Sequence, residues 1–244
     1  MAKKQFIEAN RIFTPIRQWG WILTLLIAIG GLWFPKLGLI VPFIILAEIG
    51  MSLFLGKYWC GNFCPHGSLF DKIILPYSKN NKIPPFLRTK TAIFVMFGIF
   101  LVGMSNRLAN AFIYIGTAEI WDQLGFVFVV TYLVVTIVGT IVGLVTTPRT
   151  WCVVCPMGTM QHGLYKLGKQ LGTVNFADKK IVMDTDKCKK CNKCSKVCPV
   201  QLEPYPKLQD EVVLEDEECI KCSTCVNHCP VKALSLSHEQ VYKK

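Results

Sequence analysis

The strongest constraint on this chain is a set of four long segments that carry almost no charge. Residues 18–35 have no charged side chain, and residues 37–56 have only Glu48. A third uncharged run covers residues 91–106, and a fourth covers residues 123–148. About 20 apolar residues are needed to cross the hydrocarbon core of a bilayer. The sequence therefore predicts an α-helical membrane protein with four transmembrane helices, of which the third has the shortest uncharged run.

The distribution of basic residues predicts how these helices are oriented. All but two of the 27 Lys and Arg residues fall in residues 1–17, 57–90 and 147–244, and the exceptions are Lys36 and Arg107. Because basic residues accumulate on the cytoplasmic side, we expect both termini and the central connection there, in a multi-pass protein of the cytoplasmic (inner) membrane. Topology and contact with anionic lipid account for the net charge of +11, so nucleic acid is not an expected partner.

The chain divides into a cytoplasmic segment (1–17), a membrane domain (18–172) and a soluble domain (173–244). The membrane domain contains a repeat, W-C-G-N-F-C-P-H-G-S at residues 59–68 and W-C-V-V-C-P-M-G-T at residues 151–159. Each copy follows a pair of predicted helices. The domain is therefore expected to consist of two parallel helical hairpins, each ending in what we call a Cys-Pro element at the cytoplasmic surface.

The two Cys-Pro elements contain four cysteines, which we call the membrane-edge set: Cys60, Cys64, Cys152 and Cys155. Proline is favoured at the first position of a helix, so Cys64 and Cys155 are expected to precede helices whose amides lower a thiol pKa. A thiolate binds iron, but it also reacts. The set is expected either to hold a third iron–sulfur cluster or to act as redox-active or structural thiols.

The soluble domain contains the run C-x2-C-x2-C-x3-C-P twice. In bacterial proteins with this spacing, the fourth cysteine of each run ligates the cluster of the other run. The ligands expected for one [4Fe-4S] cluster, the first ferredoxin set, are Cys188, Cys191, Cys194 and Cys229. Those expected for the other, the second ferredoxin set, are Cys219, Cys222, Cys225 and Cys198. Zinc sites usually use paired C-x2-C knuckles, so the pattern favours a 2[4Fe-4S] ferredoxin-like α+β domain.

Two residues are candidates for proton handling at a quinone site. Glu48 falls inside the second predicted helix, where a charge is costly and an acid is often functional. It either binds a quinol hydroxyl or forms a neutral hydrogen bond to a neighbouring helix. His66 follows a Cys-Pro pair and is either a proton carrier or an interfacial histidine. No histidine lies within the predicted helices, so we expect no haem inside them.

Five lysines between residues 187 and 196 accompany the first ferredoxin run. They either form a solvated face, or raise the potential of the nearby cluster and dock an acidic redox partner, such as a flavodoxin, a ferredoxin or an oxidoreductase subunit. The sequence contains no Gly-rich dinucleotide motif and no P-loop. Nucleotide chemistry is therefore not predicted.

Four membrane helices, two Cys-Pro elements and two trailing ferredoxin runs resemble the NapH- and NosR-type membrane-bound polyferredoxins. The resemblance covers roughly residues 15–235, and residues 60–65 match the C-x3-C-P motif of that family, whereas residues 152–156 read C-x2-C-P. The resemblance implies quinol oxidation and electron delivery to a partner reductase, a role of the quinol dehydrogenase type.

Three functions follow from these patterns. The leading hypothesis is a membrane-bound iron–sulfur protein that passes electrons between the quinone pool or a membrane partner and an oxidoreductase, through two or three [4Fe-4S] clusters. The second is a non-catalytic membrane anchor whose clusters conduct electrons within a larger redox complex. The third is a thiol-dependent metal-assembly or redox-sensing protein.

Overall fold

The structure, a computed structural model, describes residues 6–205, 213–214 and 216–238. The first part of the helical region contains two long helices, followed by two short ones at the first Cys-Pro element. These are α1 (Pro15–Ala28), α2 (Ile40–Leu55), α3 (Tyr58–Asn62) and α4 (Pro65–Leu69). The polypeptide between α1 and α2 forms 3-10 turns at Gly30–Leu32 and Pro35–Leu39.

The second part of the helical region repeats this order. Its elements are α5 (Lys90–Phe112), α6 (Ile120–Val145), α7 (Thr150–Val154) and α8 (Pro156–Gln170). The connection before α5 contains a π-helical turn and two 3-10 turns, at Phe70–Ile74, Leu75–Tyr77 and Pro85–Arg88. Among the described residues, four helical segments, those of α1, α2, α5 and α6, are long and apolar enough to cross a membrane. The four predicted helices are thus confirmed as helices, including the third.

Local sequence determines where α1 and α5 begin. Thr14 Oγ1 accepts a hydrogen bond from the N–H of Arg17 at 3.4 Å, and Thr89 Oγ1 accepts one from the N–H of Ala92 at 3.2 Å. A threonine at this position satisfies an amide that has no partner within the helix. Pro15 at the first position of α1 adds a favourable backbone angle.

The four long helices pack unequally. Gly38, in the turn before α2, lies against Gly125 of α6 so closely that a Cβ at position 38 would overlap the Gly125 carbonyl oxygen. In contrast, no residue in the most apolar stretch of α5 is buried within the described structure. Phe94 and Ile99, for example, are exposed on it. α5 therefore lies at the edge of the helical region.

The soluble region is small and is built around one antiparallel strand pair. Its elements are α9 (Val174–Ala177), β1 (Lys180–Met183), α10 (Lys193–Lys196), α11 (Thr224–Asn227) and β2 (Leu234–Ser237). Lys180 lies opposite Ser237, and Met183 lies opposite Leu234. The buried side chains of Ile181, Met183 and Leu234 form its core, and several cysteines pack against them. The predicted ferredoxin-type α+β arrangement is present.

The two cysteine runs follow the same backbone path. The non-glycine residues with positive φ in these runs are Lys190, Asn192, Gln201, Lys221, Ser223 and Lys232. The last three stand 31 positions after the first three, which is also the separation of Cys188 and Cys219. Such angles are uncommon outside glycine, so their recurrence at one spacing indicates two copies of one loop.

The N-terminal segment, the central connection and the soluble region meet at one end of the helices. The N–H of Ile7 donates to the carbonyl of Lys196 at 2.9 Å. Nη2 of Arg88, in the central connection, donates to the carbonyl of Val200 at 2.6 Å. These three segments are the ones that the predicted topology assigns to a single side.

Candidate metal centres

The four cysteines of the first ferredoxin set border one cavity beside α10. Three of them belong to the run that begins at Cys188, and the fourth, Cys229, belongs to the other run. Cys191 is exposed, and the other three are half-buried. Lys189 and Lys193 border the same cavity. Cys191, the exposed cysteine of this set, therefore lies at the protein surface beside basic side chains.

The second ferredoxin set borders a second cavity, on the side of the soluble region that faces the helices. Here Cys198 comes from the first run, and Cys219, Cys222 and Cys225 come from the second. Cys222 is buried. In both cavities, one cysteine that precedes a proline crosses over from the other run, which is the arrangement that the crossed ligand assignment requires. The ligation itself stays a prediction.

The donor groups around these cavities fit iron–sulfur clusters. Among the described residues, no three His, Cys, Asp or Glu side chains converge closely enough to hold a single metal ion. A zinc ion needs its ligands about 2.0–2.3 Å from one point. A [4Fe-4S] cluster takes one thiolate on each of its irons, so its ligands surround a volume instead. Four cysteines around a cavity meet that requirement.

The membrane-edge set borders a third cavity, which has a volume of about 320 Å³. This cavity lies between α2, α5 and α6 and is mostly apolar. The large side chains around it include Trp59, Phe70, Met96, Phe100, Tyr132 and Trp151. The structure thus brings together all four cysteines of the two Cys-Pro elements, although they belong to different halves of the repeat.

The predicted helix starts at the two Cys-Pro pairs are confirmed. Cys64 is the residue before α4 and Cys155 the residue before α8, and Pro65 and Pro156 occupy the first helical positions. Both cysteines have an extended ψ angle, near 120° and 127° respectively, which is typical of a residue that precedes a helix. Their side chains accordingly lie next to the first amides of the helices.

The expected lowering of these thiol pKa values is wrong. Burial raises the pKa of Cys64 to about 11, although the charge of Arg149 and the neighbouring N–H of Gly67 act in the opposite direction. Burial likewise raises the pKa of Cys155 to about 12, although the neighbouring N–H of Gly158 acts in the opposite direction. Removing the thiolate from water costs more than one backbone amide restores. The charge of Arg149 does not offset this cost at Cys64, so a thiolate there needs a stronger partner, such as a metal ion.

Gln161 of α8 connects the membrane-edge set to Glu48. Its Nε2 donates a hydrogen bond to a carboxylate oxygen of Glu48 and lies 3.2 Å from the Sγ of Cys60. Gln161 is fully buried, and Glu48 is 5% exposed. Glu48 also borders the third cavity. The acid that the sequence singled out inside the second helix is thus one side chain away from a cysteine, through a glutamine that sequence analysis missed.

His66, the second proton-handling candidate, borders the same cavity. Its Nε2 lies 3.1 Å from the hydroxyl of Thr136, and its ring centroid lies 4.4 Å from that of Tyr132. Burial lowers the pKa of His66 to about 4. The ring is therefore neutral at neutral pH and is held by a hydrogen bond on one side and an aromatic contact on the other.

The membrane-edge set and the second ferredoxin set are in contact. Cys60 packs against a buried cluster that contains Val200, Ile220 and Cys222. The contact joins a residue of the first Cys-Pro element to a cysteine of the second ferredoxin set. A short path between the two cysteine sets is therefore available.

Three buried arginines surround one buried aspartate beside these sets. Asp71 forms ion pairs with Arg11, Arg17 and Arg149, four residues that we call the arginine knot. Nη2 of Arg149 lies 2.6 Å from the Asp71 carboxylate, and its Nη1 lies 3.6 Å from the Sγ of Cys152. Sequence analysis did not detect the knot, since its members come from three separate segments of the chain.

Three regions of the chain match known protein families. Residues 37–84 and 122–173 match a family described as a 4Fe-4S binding domain. Residues 180–230 match a family described as a 4Fe-4S dicluster domain. The first two regions each contain one Cys-Pro element, so the match falls on both copies of the repeat. No curated protein and no solved structure matches the chain.

Proposed function

We propose that this iron–sulfur electron-transfer protein spans the cytoplasmic membrane and passes electrons between the quinone pool and a partner oxidoreductase. In this proposal, the two ferredoxin sets and the membrane-edge set each hold a [4Fe-4S] cluster. The observation that carries it is the third cavity, where the membrane-edge set and Glu48 border the same apolar space. The resemblance to NapH- and NosR-type polyferredoxins implies the same role.

The surfaces of the long helices support a membrane location. Large apolar side chains face outward on them, including those of Trp19, Phe43 and Ile99. Soluble monomeric proteins rarely expose apolar patches of this size, whereas lipid solvates them. The basic residues collect at the end where the soluble region packs, which supports an orientation with both termini in the cytoplasm.

Two observations support a third cluster over free thiols at the membrane edge. All four cysteines border one cavity, and the same iron–sulfur family matches both segments that contribute them. In addition, burial raises the pKa of Cys64 and of Cys155, so little thiolate forms at neutral pH without a metal. Buried thiols of this kind are unreactive, which argues against the thiol-dependent sensing function.

The lining of the third cavity suits a quinone, and a cluster held by the membrane-edge set would occupy only the end that the cysteines border. Small-molecule sites are typically mostly apolar with a few polar groups, and Glu48 and His66 are among the polar groups that border this cavity. Oxidation of one quinol releases two electrons and two protons. Clusters held by the three cysteine sets would accept these electrons one at a time and pass them to the partner oxidoreductase. Glu48 accepts one proton on its carboxylate, and the other proton passes to water.

The order of the centres in this proposal follows from the contacts between the sets. Cys60 packs against the buried cluster that contains Cys222, so the second ferredoxin set is next to the membrane edge. Cys191 of the first ferredoxin set is exposed among lysines. We therefore propose that electrons enter or leave at the first set, through a partner that docks with an acidic surface.

Quinol-driven reduction of the clusters tests the function. The full chain, purified anaerobically and placed in lipid nanodiscs, would be mixed with a water-soluble quinol analogue while cluster absorbance is followed. We expect Glu48→Gln to slow reduction at least about tenfold, whereas Glu119→Gln, an exposed acid at the other end of the helices, has no effect. Dithionite should reduce the same number of clusters in all three proteins. An unchanged rate in Glu48→Gln contradicts the role of Glu48.

A second candidate function is the membrane anchor of a larger redox complex. The outward apolar face of α5, which is unburied within the described structure, favours it because another subunit could pack there. In that case the isolated chain does not oxidise the quinol analogue, and activity returns only with the partner. The same nanodisc measurement distinguishes the two functions.

A further inference from the structure

The arginine knot holds more positive than negative charge. It contains three guanidinium groups and one carboxylate, and all four residues are buried. Nε of Arg11 and Nη1 of Arg17 have no hydrogen-bond acceptor among the described residues. Buried charge is costly unless an opposite charge lies nearby. The knot therefore requires negative charge beyond that of Asp71.

Two cysteine sets flank the knot and could supply this charge. On one side, Nη1 of Arg149 donates to the carbonyl of Cys60 at 3.0 Å and lies 3.6 Å from the Sγ of Cys152. On the other side, Gly61, the residue after Cys60, lies against the backbone of Ile220 and Cys222, and negative charge on Cys222 raises the pKa of Arg11. An iron–sulfur cluster held by four thiolates is an anion, and reduction adds one more negative charge. A cluster on each side would therefore supply negative charge that offsets the net positive charge of the knot.

We propose that the net positive charge of the arginine knot raises the reduction potentials of the clusters at the membrane-edge set and the second ferredoxin set. A fixed positive charge stabilises the reduced, more negative form of a neighbouring cluster, and local charge is one determinant of cluster potential. The inference rests on the cluster assignment of the proposed function. It does not depend on quinone as the electron donor.

Burial makes this effect strong and permanent. Charges interact far more strongly in a protein interior than in water. Burial and the neighbouring Arg149 lower the pKa of Arg11, but only to about 10, so Arg11 remains charged at neutral pH. The lysines of the first ferredoxin set are different, because Lys187, Lys189 and Lys190 are exposed and are screened by water and salt. The first set therefore serves as an internal reference.

A redox titration of the full chain, monitored by paramagnetic resonance with chemical mediators, tests the proposal. Arg11→Gln removes one positive charge and should lower the midpoint potential of the second ferredoxin set. We expect at least a tenfold change in the reduction equilibrium, which is about 59 mV for one electron. Asp71→Asn removes the negative charge and should raise the potentials of both flanking clusters. Arg11→Lys should restore the wild-type value, and Lys36→Gln, at the other end of the helices, should change none.

The opposite signs of the two shifts distinguish charge from structural damage. If Arg11→Gln loses a cluster, the midpoint potentials of Asp71→Asn alone test the proposal. Unchanged midpoints in the surviving clusters, equal shifts in all three sets, or loss of clusters in both variants would overturn the proposal, because the knot would then be only structural. A wild-type protein with fewer than three clusters would instead contradict the proposed function, and iron analysis of the same samples reveals that case.

Discussion

Gly61 in the first Cys-Pro element lies directly against the backbone of Ile220 in the second cysteine run. A Cβ at position 61 would overlap the Ile220 carbonyl oxygen and come within 3.0 Å of the backbone nitrogen of Cys222. Both of these neighbours are backbone atoms, so they cannot turn aside as a flexible side chain can. The absence of a side chain at position 61 is therefore what allows the membrane-edge set and the second ferredoxin set to approach each other.

Gly61→Ala should separate these two sets. The added methyl group has to displace the second run, and overpacking of this kind costs about 1–3 kcal/mol. We expect a lower temperature for loss of cluster absorbance and slower electron transfer from the membrane edge to the ferredoxin sets. Gly98→Ala in α5, where no atom lies within 4 Å of the new Cβ, is the matched control. Equal behaviour of the two variants would show that the contact is unimportant.

The crossed ligand assignment predicts which cluster a single substitution damages. Cys198→Ser should perturb the cluster of Cys219, Cys222 and Cys225, because the fourth cysteine of each run ligates the other cluster. Cys229→Ser should perturb the cluster of the first run. Paramagnetic resonance of the reduced variants separates the two signals. Damage confined to the first-run cluster in Cys198→Ser would refute the crossing.

Local sequence patterns were sufficient for the elements that depend on spacing. The repeated C-x2-C-x2-C-x3-C-P run predicted which cysteines share a cavity. The three closely spaced cysteines of each run lie in one short loop, and the known pattern of such runs assigns the fourth cysteine to the other cavity. Likewise, uncharged runs predicted the four long helices. The acid at Glu48 was also identified from its own segment, as a carboxyl group inside an apolar helix.

Contacts between distant segments were not predictable in the same way. Gln161 reaches Glu48 and Cys60 from more than a hundred positions away, and Asp71 meets Arg149 only in the folded chain. The one local signal was that Arg149 stands three residues before Cys152, as Lys57 does before Cys60. The direction of the thiol pKa shift was wrong for a related reason: depth of burial depends on tertiary packing.

The lysines around the first ferredoxin set should govern electron exchange with an acidic partner. Lys189→Glu/Lys196→Glu should slow electron transfer to an acidic flavodoxin about tenfold at low ionic strength, because steering by opposite charge is lost. The difference should shrink as salt is added. Lys72→Glu/Lys79→Glu makes the same charge change on exposed lysines of the central connection. Equal slowing by both pairs would indicate a net-charge effect without a docking site.

The predicted topology has a direct cellular test. Reporter fusions after Lys244 and at Ala118, in the connection between α5 and α6, should report opposite sides of the membrane. The expectation follows from the basic residues, of which all but two are assigned to the cytoplasmic side. Signals from the same side would mean that α6 does not cross, and a cytoplasmic signal at Ala118 would mean that α5 does not cross.

The central claim is that the membrane-edge set holds a third iron–sulfur cluster, and iron content tests it most directly. Iron and acid-labile sulfide per chain would be measured in anaerobically purified wild-type protein and in Cys60→Ser/Cys152→Ser. Three [4Fe-4S] clusters predict about twelve irons in the wild type and about eight in the double variant. About eight irons in both proteins would contradict the claim, and would leave the membrane-edge cysteines as thiols beside an apolar cavity.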